Sequence, residues 1–342
     1  MNLFIKSAAA AGFATALVGL SMSASAEPYK IRVGWVTAPT HMQPIIDELY
    51  NRHPDLFTHY GKSYVVDSLH FKGTPPQITA LATNELDIAA LGPEALALTV
   101  LNAHLDVRAI ADVFQDGVAG YQSVTYAVRA NSPFKKVEDL RGKVIATNAI
   151  GSFGDSAMRI MMRMHGLSDK DFTSVEANFN TMPAMLDEGK VDLINLLPKF
   201  HYRLKEGKDR ILFEAKDGEG RIQAVLWAMQ AKELAAHRAA VVDFLEDHIR
   251  AVRYLIDPKN HAETVAICAA VTKAPPETLQ TVYTKQDSYH DPNGKPDVEA
   301  TQHALDVELK YGLIKQSIKV APKYVDLGPV EEAAKRLGVV TN

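Results

Sequence analysis

Short, mostly apolar runs at residues 31–36, 64–71, 86–91 and 107–113 predict β-strands. Between them, residues 41–50, 75–83 and 95–103 carry apolar positions at helical spacing. Strand and helix therefore alternate, the arrangement of an α/β fold with a mostly parallel sheet. The alternation then restarts, with strands predicted at 123–129, 144–147, 174–177, 191–196, 211–213 and 223–229 and helices at 153–165 and 182–188. From residue 235 the pattern is helical, broken at Pro258, Pro275, Pro276 and Pro292. Residues 81–93 align without gaps on 186–198, matching Leu81 with Leu186, Asp87 with Asp192, Leu91 with Leu196 and Pro93 with Pro198. Each copy reads as a helix end, a tight turn, a strand and a proline at the strand's carboxyl edge. Two similar lobes are the expected result.

Polar segments follow the strands. Thr37, Thr40 and His41 come after the first, with Thr40 and Gln43 at capping-box spacing. Thr74 and Gln77 repeat that spacing after the second, with Pro75 in the first turn. Gly92, Pro93 and Glu94 open the helix after the third. In the second half, Asn148 precedes a third box, Ser152 with Asp155, and Asn180 is placed to cap the helix starting near Thr181. Such turns offer backbone N–H groups and the positive ends of helix dipoles. In open α/β sheets they gather at the carboxyl edge, where ligands bind. Two lobes facing each other this way would enclose a small polar or anionic solute. Candidate ligand contacts are therefore Thr37, Thr40, His41, Thr74, Gln77, Gly92, Glu94, Gln122, Asn148, Ser152, Phe153, Asn180 and Asn195. Trp35, Tyr121, Phe153, Phe179 and Trp227 are candidates for an aromatic wall, and His41 in the first loop is either a donor to an anion or a solvent-exposed cap residue.

Composition narrows the partners. Hydrophobic residues at 47% and charged ones at 23% fit a packed protein, and a net charge of −4 gives no basic surplus for nucleic acid. The one cysteine, Cys268, excludes an internal disulfide and a cysteine-based zinc site, and its apolar helical setting predicts an inert buried thiol. The 12 histidines lack metal-ligand spacing, and no dinucleotide, P-loop, zinc-protease or nucleophile-elbow motif is present. No catalytic residue, metal or cofactor is expected. Lys6, an apolar run over 8–20 and Ala24, Ser25 and Ala26 have the layout of a signal peptide at residues 1–26, cleaved after Ala26. That run is too short to span a bilayer comfortably. An exported, periplasmic and monomeric protein without membrane insertion is the expectation.

Several segments resemble the substrate-binding proteins of the nitrate/sulfonate/taurine type that serve ABC importers. The carriers are the opening strand 31–35, residues 81–93, the stretches 126–133 and 137–146, the turn Ser152 to Gly154, residues 188–192 and the closing 325–332. Two places depart from that family: Asn195, Leu196, Leu197 and Pro198 stand where Trp-Asp-Pro is frequent, and the loop 37–42 matches none of its nitrate, taurine or alkanesulfonate binders. The resemblance implies a type II periplasmic-binding-protein fold, with two lobes, a hinge and an interlobe cleft. It implies one discontinuous lobe, 27–121 with 225–342, and a second over 122–224. It further implies capture of a small organic solute by hinge closure and delivery to a membrane permease with its ATPase. A sensory binding protein for a membrane receptor is the alternative. Thiamine-pyrimidine synthases are similar to this family but carry a cysteine-rich motif that this chain lacks, so a binder rather than an enzyme is expected.

Overall fold

The structure, a computed structural model, describes residues 27–338. The expected signal peptide at 1–26 lies outside the described residues. In chain order the strands are β1 (Tyr29–Trp35), β2 (Tyr64–His70), β3 (Ile88–Leu91), β4 (Val107–Asp116), β5 (Thr125–Arg129), β6 (Val144–Thr147), β7 (Thr173–Glu176), β8 (Leu193–Leu196), β9 (Asp209–Glu214) and β10 (Ile222–Gln230). The helices of the first half are α1 (Gln43–Arg52), α2 (Thr74–Ala82), α3 (Pro93–Leu101), α4 (Phe153–Met164) and α5 (Met182–Asp187). They are followed by α6 (Tyr202–Lys205), α7 (Ala215–Glu219), α8 (Ala231–Ile256), α9 (His261–Thr272), α10 (Val298–Lys310) and α11 (Gly328–Arg336). Among the described residues no helix is long and apolar enough to cross a membrane.

The strands form two five-stranded sheets with the same plan. One has the order β2-β1-β3-β10-β4 and the other β7-β6-β8-β5-β9. In each, the first three strands run parallel and the fourth is antiparallel to both its neighbours. That antiparallel strand is the one that arrives from the other sheet. The chain crosses between β4 and β5 and returns between β9 and β10, and Ile222 at the start of β10 already pairs with Asp116 of the first sheet.

The internal repeat has a structural counterpart. β3 and β8 occupy the third place in their sheets, and both are buried along their whole length. Their continuous apolar sequences fit strands covered on both faces. The aspartates one turn earlier do the same work twice. Asp87 accepts from the Arg32 N–H at 2.8 Å, and Asp192 accepts from the Val144 N–H at 3.0 Å. Each carboxylate thus satisfies a backbone N–H of the neighbouring strand, within β1 for Arg32 and at the start of β6 for Val144. Helices α1, α8 and α11 pack on one side of the first sheet, and α2, α3 and α10 on the other. One apolar core passes through the junction, from Ile31 and Tyr64 in one sheet to Met158 and Leu193 beside the other. Cys268 is buried and free, and burial pushes its thiol up to about 12, so it is an unreactive core residue.

Candidate functional site

The carboxyl edges of the two sheets face each other across a cleft lined by the turns that follow their strands. From the first sheet come Val36, Thr37, Thr40 and His41 after β1 and Thr74 after β2. From the second come Asn148, Ser152 and Phe153 after β6, Phe179 after β7, and Asn195 and Leu197 at the end of β8. These residues surround an inner cavity of about 40 Å³ backed by Phe114, Val124 and Val225. An outer cavity of about 210 Å³ shares Val36, Thr37, Asn148 and Phe179 with it and adds Trp35, His70, Asn180 and Lys199.

The turns are held by their own polar groups, and the caps read from the sequence do not form. Met42, not Thr40, occupies the N-cap of α1, and Gln43 donates to Asp47 at 2.8 Å instead of closing a box. Gly73 is the N-cap of α2, which makes Thr74 its first helical residue, free to line the cleft. Ser152 does sit at the N-cap of α4, but its Oγ lies 2.8 Å from Asn148 Oδ1 and 2.7 Å from the Ala149 carbonyl. Its single proton is spent inside the turn. The reciprocal half is displaced by one residue, because Asp155 Oδ2 accepts from the Gly151 N–H at 3.1 Å while the Ser152 N–H turns to the Ala149 carbonyl. Thr181, not Asn180, is the N-cap of α5. The Asn180 carbonyl oxygen instead accepts from Lys199 Nζ at 3.2 Å.

Gly154 shapes the floor. A Cβ there would stand 2.6 Å from Asn195 Nδ2 and 3.3 Å from Asn148 Oδ1, so glycine lets both amides lie against the first turn of α4. Asn195 is 3% exposed and its Oδ1 has no hydrogen-bond partner, which leaves an acceptor at the inner cavity. Trp35 Nε1 is likewise unpartnered beside the outer one.

Among the described residues lining the two cavities there is no carboxylate and no cysteine, and the titratable groups are His41, His70, Lys72 and Lys199. His41 is buried rather than exposed. Burial, with His290 nearby, lowers its pKa to about 3, so it is neutral and can offer an anion a hydrogen bond but no charge. Lys72 pairs across the cleft mouth with Glu176 at 3.4 Å and is largely in solvent. Lys199 differs. Burial pulls its pKa down to about 8, and its Nζ donates only to neutral oxygens, the Ala38 carbonyl and Asn180 Oδ1, both at 3.2 Å. It is a cation without a carboxylate partner, reaching from one lobe to the other.

Four of the sequence candidates lie away from the cavities. Gln77 is fully buried behind β1 and β3, where its Oε1 accepts from the Ala90 N–H at 2.9 Å. Gly92 is packed beneath Phe153. Glu94 accepts from the Ser156 hydroxyl of the opposite lobe, and burial raises its pKa beside the equally buried Glu219 and Glu308. Gln122 donates to Glu214 at 2.7 Å near the first crossing. Trp35, Phe153 and Phe179 line the cleft, whereas Tyr121 and Trp227 belong to other cavities. Sequence reasoning missed Lys199 and Phe114. The repeat held a signal for the first, since extending its alignment by one residue sets Lys199 opposite Glu94. Among the described residues one cluster has metal-ligand reach, His59 with Asp243 and Glu246, and it lies away from the cleft. Arg336 already pairs with both carboxylates and Arg250 with Glu246, so their charge is met.

Two lobes of matching plan, crossed twice by the chain and closed on a cleft at their carboxyl edges, define the type II periplasmic-binding-protein fold. The chain belongs to the NMT1/THI5-like family, whose sequence profile matches residues 71–261. Solved structures with this fold include the alkanesulfonate-binding protein SsuA from Xanthomonas axonopodis pv. citri bound to MOPS, at 20% identity and a TM-score of 0.66 over 87% of this chain and 98% of that one. The periplasmic nitrate-binding protein NrtA from Synechocystis PCC 6803 is similar at 15% identity, with a TM-score of 0.72 over 92% and 90%. The desulfurization enzyme DszB is also similar, at 11% identity and a TM-score of 0.62 over 90% and 99%. No curated protein matches the sequence significantly.

Proposed function

We propose that this protein is a periplasmic solute-binding protein that closes its two lobes on a small organic anion and delivers it to an ABC importer. Lobe one would comprise 27–121 with 225–342 and lobe two 122–224, hinged at the two crossings. The observation that carries the reading is Lys199, a half-buried ammonium in the cleft with only neutral acceptors around it. A single negative charge would complete that site, because the half-buried ammonium has no carboxylate partner. The remaining wall, with Phe114, Phe153, Phe179 and Leu197 between Thr37, Thr74 and Asn195, suits an apolar body with one or two polar substituents. DszB has the same fold, so fold alone does not separate binding from catalysis. Binding is favoured because the Ser152 hydroxyl meets only an amide oxygen and a carbonyl, neither of them a base.

Sulfonates belong in the test because the Xanthomonas protein binds them, and carboxylates because Lys199 is a point charge without a preference for planar forks. Alkanesulfonates, aliphatic and aromatic carboxylates and nitrate are screened by thermal unfolding. At least one is expected to raise the melting temperature by several degrees, and Lys199→Met to weaken its binding at least tenfold. A panel without any binder, or full affinity in Lys199→Met, would overturn the reading.

A further inference from the structure

A separate cavity, of about 220 Å³, opens beside α1, and it shares no lining residue with the cleft. Its walls are aromatic. Tyr50 meets Phe57 edge-on at 5.3 Å and Tyr60 at 4.2 Å, Tyr60 meets Tyr64 at 5.4 Å, and Tyr64 meets Phe244 at 5.5 Å. The rings form a continuous chain around the space. Into the same space faces one carboxylate, Asp47, which forms no ion pair with any described residue.

One buried polar atom beside the carboxylate is an unpartnered acceptor, and His248 Nδ1 at the back wall has no partner either. Gln43, 2% exposed, spends its Nε2 on Asp47 at 2.8 Å, and its Oε1 has no partner. His248 at the back wall is kept neutral by burial and brings no competing positive charge. Burial also raises the Asp47 pKa, against the hydrogen bond from Gln43, which is the cost of a carboxylate held there without a counterion. The carboxylate without a counterion repels an anion, and a bare metal ion would find mostly rings where it needs oxygens. A cation with an apolar coat satisfies all three features at once: ring faces attract it, the carboxylate neutralises it and its methyl groups fill the space.

We propose that this cavity is a second ligand site, specific for a small tertiary or quaternary ammonium compound. The site does not depend on what the cleft binds. Choline and tetramethylammonium are titrated into the purified protein by calorimetry, with 3,3-dimethylbutan-1-ol as the uncharged isostere and sodium chloride as the salt control. Saturable binding of an ammonium is expected, at least tenfold tighter than the isostere. Asp47→Asn should weaken it at least tenfold while leaving anion binding in the cleft unchanged, and Tyr50→Leu, which keeps the volume and removes a ring, should weaken it severalfold. Absence of saturable ammonium binding, equal binding of the isostere, or unchanged affinity in both variants would overturn the proposal.

Discussion

Three buried histidines surround the junction behind the cleft, and burial sets the charge of each. His41, His248 and His290 have pKa values lowered to about 3, about 3 and about 4, so all are neutral in the folded protein. His290 donates through Nδ1 to the Val113 carbonyl at 2.7 Å, while its Nε2 has no partner. Between the ordinary histidine value near 6.5 and these folded values, the unfolded chain takes up protons that the folded one refuses. Stability is therefore withdrawn as pH falls through that window. Asp112, raised by burial to about 7, acts in the opposite sense, holding a proton whose contribution is lost as pH rises. His290→Asn keeps a donor toward Val113 and removes the titration. Urea unfolding at pH 6.5 and pH 4.5 should show the variant losing about 2 kcal/mol less than the parent over that interval; equal losses would show that His290 titrates normally. None of this is written in the sequence, where a histidine in the loop after β1 looks the same whether buried or exposed.

At the level of elements, α4 and the turn before it connect local folding to the ligand. Gly154→Ala adds a good helix former in the first turn of α4, which by itself stabilises by less than the roughly 1 kcal/mol of a helix interior. The new methyl would stand 2.6 Å from the Asn195 amide nitrogen and push it out of place. The expected outcome is a melting temperature unchanged or raised together with weaker ligand binding, read by unfolding and titration of one sample; loss of stability without loss of affinity would contradict it. Strands and helices were legible in the sequence because buried strands such as β3 and β8 leave uninterrupted apolar runs, and the repeat marked their equivalent places. The turns were located correctly, and Thr37, Thr40, His41, Thr74, Asn148, Ser152, Phe153 and Asn195 do meet in one cavity. What those turns do was not legible. Capping spacing says nothing about whether a hydroxyl finds a nearer acceptor, as Ser152 does. The repeat could place Lys199 opposite Glu94, but its isolation from carboxylates exists only once two distant segments face each other.

Across the whole molecule, the lobes are in contact over the cleft, through Lys199 on Ala38, Lys72 with Glu176, Ser156 on Glu94 and Arg163 on the Tyr311 carbonyl at 2.6 Å. Ligand affinity under hinge closure depends on how well this closed arrangement forms, because contacts to both lobes are realised only there. Gly73 and Ala149 face each other from opposite lobes so closely that a Cβ at 73 would lie 2.4 Å from that of Ala149. The φ of Gly73 is −171°, extended backbone open to any residue, so an alanine there is opposed by closure and not by local strain. Gly73→Ala should therefore leave the fold intact and hold the lobes apart, and adding Ala149→Gly should let them close again. Calorimetric titration of the best anion from the screen into the parent, Gly73→Ala and the double variant tests closure on a solute directly. Affinity at least tenfold weaker in Gly73→Ala, restored in the double variant and with unfolding temperatures little changed, is the expected result; equal affinity in all three would contradict it.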